Sequence, residues 1–210
     1  MEISIRKDNL HSVILYSLCP GLTKIIYLTK PSERSIDCYY VQLYKSSSGG
    51  YIDEHLYVSG HDRDDNIRTA VILADKGYAV QLLPDLYSCE SELREEYLFD
   101  VHQFKNPDAR INGQWIADFK KPAKSIPIKK STISRLIESA AQQKAAIAVL
   151  NLSGQEYAIQ DIKKGIIGAL QPDRNRSIQE VWIITQNKNL FIASRLNVYN
   201  EAIYLELDNL

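Results

Sequence analysis

The sequence has little of what announces the commonest chemistries. It holds three cysteines, Cys19, Cys38 and Cys89, widely spaced and odd in number. No CxxC pair or Cys/His cluster points to zinc, and an odd count argues against a disulfide framework. Free thiols in a reducing compartment are the expectation, with the cytoplasm as the place of action. Long apolar runs are missing as well. The patch at residues 12–19 is too short to span a bilayer, and its flanks do not resemble a signal peptide, so no membrane partner is expected. There is no GxGxxG or Walker-type loop, because Ser48-Gly49-Gly50 lacks the lysine and the helix that such a loop needs. His11, His55, His61 and His102 form no spacing from which a nucleophilic triad can be argued. An excess of one charge is absent too: 25 Lys and Arg stand against 26 Asp and Glu, a net charge of −1. Bulk charge therefore does not hold this protein to nucleic acid, although a local basic strip remains open.

What is present is ordinary for a folded protein. With 210 residues, 45% of them apolar, the chain can bury a real core as one domain or as one domain with a modest lobe. Residues 1–47 contain short β-type runs, such as 23–28 and 36–44, separated by turn-rich stretches. Residues 46–50 (SSSGG) read as a joint. The expected division is a small β-rich N-terminal lobe over 1–50 and a main domain over 51–210.

Beyond residue 61 the pattern sharpens. Asp62 and its neighbours open a helix with apolar residues at Ile67, Ala70, Val71 and Ala74, and Gly77 follows as a stop. A strand over 78–83 ends at Pro84. Residues 85–105 read as an acidic inserted excursion with some helical pattern over 90–98. Two strands then flank Asn112-Gly113, the strongest short hairpin signal in the chain. An amphipathic helix over 131–144, a buried strand over 146–152, a helix over 156–170 and strands over 181–185 and 190–194 complete the list. This order predicts an α/β fold with a mixed central sheet flanked by helices.

The chemistry concentrates in residues 106–122, NPDARINGQWIADFKKP. Side chains alternate along a strand, so Asp118 and Lys120 share one face while Phe119 takes the other. Asp108 sits on the partner strand, and the turn decides where it points. A plain two-residue Asn112-Gly113 turn would aim it away from Asp118. A three-residue loop over 111–113, with Gly113 at positive φ, would pair Asp108 with Ile116 and bring Asp108, Asp118 and Lys120 onto one face. Two carboxylates there make a hard-oxygen site for Mg²⁺ or Mn²⁺. A metal ion in such a site polarises a phosphate oxygen and acidifies a bound water, and a neighbouring lysine orients that water or offsets developing charge. Phosphodiester hydrolysis needs these parts. The alternative is a hairpin with solvated charges.

Pro107-Asp108 with Asp118-Phe119-Lys120 resembles the PD-(D/E)xK nuclease superfamily. The surrounding pattern, LADKGYAVQLLP, then PDARING, DFK, a helix with Gln143 near its end and AVLNLS, is similar to the tRNA-nuclease toxin domain of contact-dependent inhibition (CdiA-type) proteins over about residues 60–155. That resemblance implies a restriction-endonuclease-like core, a divalent metal and cleavage of structured RNA, tRNA in particular. DNA cleavage by a mobile-element endonuclease is the nearest alternative. A non-catalytic binding module on the same fold is the alternative of a different class. An immunity protein is an implied partner, and nothing in residues 1–50 chooses among immunity, delivery and dimerisation roles for that lobe. Such nucleases commonly add an acid from the first core helix. Asp65 is the candidate here, although the same residue also suits a helix start. Lys120, Lys121, Lys124, Lys129 and Lys130 crowd one short region, of which Lys121 and Lys124 are the candidate phosphate contacts. Gln143 is a candidate ligand for a scissile phosphate or for a water at the metal.

Overall fold

Short apolar runs closed by turn residues become strands, and the two strongest 3.6-residue stripes become helices. The computed structural model describes residues 4–8, 11–19, 22–27, 39–58, 60, 62–123, 127–199, 202–208 and 210, with backbone alone for 4–27. Near the N-terminus β1 (Ser4–Asp8), β2 (His11–Cys19) and β3 (Leu22–Tyr27) form an antiparallel three-stranded sheet. The apolar patch at 12–19 is therefore a strand. Among the described residues no helix is long and apolar enough to cross a membrane.

A second sheet of eight strands carries the rest of the architecture. Its first half comprises β4 (Tyr40–Lys45), β5 (Tyr51–His55), β6 (Ala79–Leu82) and β7 (Ala109–Ile111). Its second half comprises β8 (Trp115–Lys120), β9 (Ile147–Asn151), β10 (Glu180–Ile184) and β11 (Leu190–Ser194). The strands lie side by side in the order β11-β10-β9-β8-β7-β6-β5-β4. Pairs β5·β6, β8·β9 and β9·β10 are parallel, and the others are antiparallel, so the sheet is mixed as expected. Residues 46–50, read as a joint between lobe and domain, form the turn between β4 and β5. Ser46 N donates to Gly50 O at 2.8 Å, and Ser46 Oγ donates to Asp75 Oδ1 at 2.9 Å. Residues 40–45 thus belong to the central sheet.

Helices cover both faces. On one side α1 (Arg63–Asp75) buries Ala70, Leu73 and Ala74 with Ile52, Val80, Ala117, Phe119 and Val149 of the sheet. On the other, α3 (Lys130–Gln142) and α4 (Ile159–Ala169) pack Ile133, Ile137, Ile162 and Ile166 over Ile116, Ala148 and Leu150. These two helices approach so closely that a Cβ on Gly165 would stand 2.6 Å from Ile133 Cβ. Between β6 and β7 the excursion includes the short helix α2 (Ser91–Tyr97). Two further short helices, α5 (Leu196–Tyr199) and α6 (Ala202–Asp208), follow β11.

Candidate active site

The hairpin between β7 and β8 decides the site, and it carries the extra residue that the carboxylates need. Asn112 (φ +50°) and Gly113 (φ +73°) are both left-handed. Gln114 N donates to Ile111 O at 3.2 Å, closing a turn over the Asn-Gly pair. The ladder then resumes at Ile111↔Trp115, so Gln114 is left over as the third loop residue. The loop is Asn112-Gly113-Gln114, one residue further along than the expected 111–113. Arg110 consequently faces Ile116, and Ala109 faces Ala117. One step beyond, Asp108 stands opposite Asp118 and not beside Ile116. The parity is that of the expected odd loop, because either three-residue loop turns Asp108 to the Asp118 face.

Asp108 is fixed by two donors. Phe119 N donates to its Oδ2 at 2.6 Å, and Asn66 Nδ2, from the first turn of α1, donates to its Oδ1 at 2.9 Å. Asp118 is 1% exposed, and Lys120 Nζ lies 2.6 Å from its Oδ2. Burial, foremost, and the negative charge of Asp108 push Asp118 up to about 7, against the pull of the Lys120 ammonium. Burial also raises Asp108, opposed by Lys120, by the Phe119 N–H and by Asn66. Each carboxylate disfavours ionisation of the other, and a cation at the pair, the Lys120 ammonium or a bound metal ion, favours it.

Asp108, Asp118 and Lys120 line a cleft of about 360 Å³ together with Asn66, Asp62 and Gln143. Gln143 follows α3, and its Oε1 accepts from Asn106 N at 3.3 Å. A second, smaller cleft adjoins it, lined by Asp65, Thr69 and Lys121 and again by Asp108, Asn66 and Lys120. Asp65 is engaged there by Lys121 Nζ at 2.7 Å and by Arg68 Nη1 at 2.8 Å. The Lys121 ammonium holds the Asp65 carboxyl below the usual range. Among the described residues no group of three or more His, Cys, Asp or Glu is placed to hold a metal ion, so Asp65 completes no three-acid cluster. Lys124 lies outside the described residues.

The sequence reading missed Asn66. Asn66 lies on the same stripe of α1 as the fully buried Ala70 and Leu73, but the buried arc of that helix is too broad for the spacing to single it out. The donor set, two carboxylate groups with an amide alongside, fits Mg²⁺ or Mn²⁺, which are held through one or two carboxylates while water and phosphate complete the shell.

Residues 105–190 match the family model of the contact-dependent growth inhibition CdiA C-terminal domain. That stretch contains Asp108, Asp118, Lys120, Lys121 and Gln143 and leaves α1, with Asn66 and Asp65, outside it. No curated protein matches the chain. Among solved structures, a CdiA-CT/CdiI toxin and immunity complex from Burkholderia pseudomallei aligns at a TM-score of 0.45 and 24% identity, covering 66% of this chain and 90% of that one. Over its carboxylate hairpin and the strands that follow, then, the chain is similar to the CdiA C-terminal domain family.

Proposed function

We propose that this protein is a metal-dependent nuclease of the PD-(D/E)xK type, acting as a toxin of the contact-dependent inhibition kind. The observation that carries the reading is the facing of the half-buried Asp108 and the buried Asp118, with Lys120 Nζ 2.6 Å from Asp118 Oδ2. The family match over 105–190 supports it independently, since it falls on the same residues.

Asp108 and Asp118 would hold Mg²⁺ or Mn²⁺, which when bound polarises a phosphate oxygen and acidifies water in its shell. The chain's own residues do the remainder. Asn66 and the Phe119 N–H hold the Asp108 carboxyl in one orientation, so the ion meets a preformed ligand. Lys120 lines the same cleft beside Asp118. There it orients the attacking water and offsets the charge that grows on the phosphate oxygens. Gln143, across the cleft, offers an amide to the same phosphate or water. Lys121 lines the adjoining cleft, where a ribose-phosphate backbone leaving the site would run. RNA, and tRNA in particular, is the favoured substrate, with DNA the alternative. A cell that makes such an enzyme must neutralise it in its own cytoplasm, so an immunity protein is the partner to seek.

The test is incubation of tRNA and of duplex DNA with the protein and Mg²⁺ or Mn²⁺. Cleavage of tRNA that stops with chelator and with Asp118→Ala supports the reading. Cleavage of DNA alone moves the substrate to the alternative, and cleavage of neither removes the enzyme. A binding module on a nuclease fold is the second reading, and the engagement of Asp65 by Lys121 and Arg68 is what favours it. Such a module would show no metal-dependent cleavage at all.

A further inference from the structure

The excursion at residues 85–105 takes no part in the carboxylate chemistry, yet its end stands at the mouth of the same cleft. Phe104 lines that cleft with Asp108, Asp118 and Lys120, and it remains 64% exposed. Its backbone is held at φ +65°. A bulky residue adopts this left-handed conformation only where the surroundings enforce it. The enforcing contacts are specific. Lys105 N donates to His102 O at 3.1 Å, closing the turn around Phe104. The buried Arg94 guanidinium then clasps both ends of the excursion. Its Nη2 donates to Lys105 O at 2.6 Å, and its Nη1 donates to Asn106 Oδ1 at 2.7 Å and to Leu86 O at 2.8 Å. Asn106 in turn donates from Nδ2 to Leu86 O at 3.1 Å. An aromatic ring is thus presented to solvent from a strained, braced turn, beside the candidate site.

We propose that Phe104 is a base-stacking residue of this site. Its ring receives the face of one unpaired nucleotide whose phosphate lies at Asp108, Asp118 and Lys120. The site would then take a single-stranded or looped segment of nucleic acid in preference to a paired stem. This rests on the nuclease reading above and adds the state of the strand that the site accepts. A cleft of about 360 Å³ suits a ligand of nucleotide size. Val58 also lines the cleft, as do the carboxylates and Lys120. Phenylalanine has no hydrogen-bonding group, so it discriminates stacked from unpaired bases without reading their identity. A base inside a duplex is already stacked on its neighbours and must be unpaired before it can reach the ring.

The experiment uses the full chain carrying Asp118→Asn, so that the probe stays intact, with Mg²⁺ and a short single-stranded RNA containing 2-aminopurine. The same RNA annealed to its complement is the comparison. Stacking quenches 2-aminopurine, and binding to the single strand is expected to quench it. Phe104→Ala should weaken that binding about tenfold and abolish the quench, while duplex binding stays the same. Phe104→Trp should retain both. Phe104→Gly, which suits the left-handed backbone, should melt no lower than its parent and still bind as poorly as Phe104→Ala. Parent-like binding and quenching by Phe104→Ala would overturn the proposal, as would failure of the parent to bind the single strand. Two further outcomes separate it from the nuclease reading. Metal-dependent cleavage that needs Asp118 but ignores Phe104 sinks the stacking role alone. A Phe104-dependent quench without any cleavage by the unmutated chain supports the stacking role and removes the nuclease.

Discussion

Asn66 Nδ2 donates to Asp108 Oδ1 across 2.9 Å, so an amide of α1, and not an acid, meets the carboxylate pair. Asp108 is thereby oriented without a third negative charge. Asn66→Ala should cost about 1 kcal/mol of stability through the lost hydrogen bond and leave Asp108 held by the Phe119 N–H alone. Thermal melting and cleavage rate read these two effects separately, and the rate should fall about tenfold. Asn66→Asp adds a carboxylate to two that already repel. Its melting temperature should drop below the parent's in chelator and rise more than the parent's on addition of Mn²⁺. Equal shifts in the two proteins would remove Asn66 from the metal environment.

Lys120 tests the chemistry apart from the metal. Its ammonium neighbours Asp118, and its removal leaves both carboxylate groups in place. Lys120→Ala should therefore still bind Mn²⁺ by calorimetry while losing at least about a hundredfold in cleavage. A variant that cleaves like the parent would reassign Lys120 to a structural ion pair.

The hairpin was legible in outline because Asn112-Gly113 can adopt positive φ at both positions, and the structure uses both. The carboxylate face was expected only for an odd loop, and the three-residue loop has that parity. Which residue becomes the extra one was not legible. Ile111 is buried in the core, which holds it in the ladder and pushes the irregularity onto exposed Gln114. Asn66 against Asp65 was hidden for a different reason. Neighbouring helix positions point about 100° apart, and α1 has buried residues at 69, 70, 72, 73 and 74, too broad an arc to fix its phase. The place of residues 40–45 in the central sheet was equally hidden, because a serine- and glycine-rich run suits a tight turn between strands as well as a linker.

Asp118 sets a pH signature. Its ordinary value is 3.8, and the fold raises it to about 7. A raised carboxyl means that the folded protein keeps a proton which the unfolded chain releases earlier. The stability from this group is therefore full below about pH 4 and declines as pH rises towards about 7. Melting of the chelated protein should show this decline, and Asp118→Asn should flatten it. Mn²⁺ competes with the same proton, so its apparent affinity should weaken as pH falls below about 7. A metal affinity that does not change with pH would separate the ion from Asp118.

Packing away from the cleft supplies the control. A Cβ on Gly165 would meet Ile133 Cβ at 2.6 Å and Lys130 O at 3.1 Å, between α4 and α3. Gly165→Ala should destabilise the protein by about 1–3 kcal/mol through overpacking. Its Mn²⁺ affinity should stay that of the parent, as measured by calorimetry at a temperature where both are folded.

The most direct measurement is the anomalous scattering of a crystal of the full chain soaked in Mn²⁺. One peak between the Asp108 and Asp118 carboxyl groups, absent from a crystal of Asp108→Ala treated identically, is the expected result. A soaked crystal with no ion there, and with the two carboxyl groups still facing each other, would contradict the assignment of this hairpin as a metal-dependent active site.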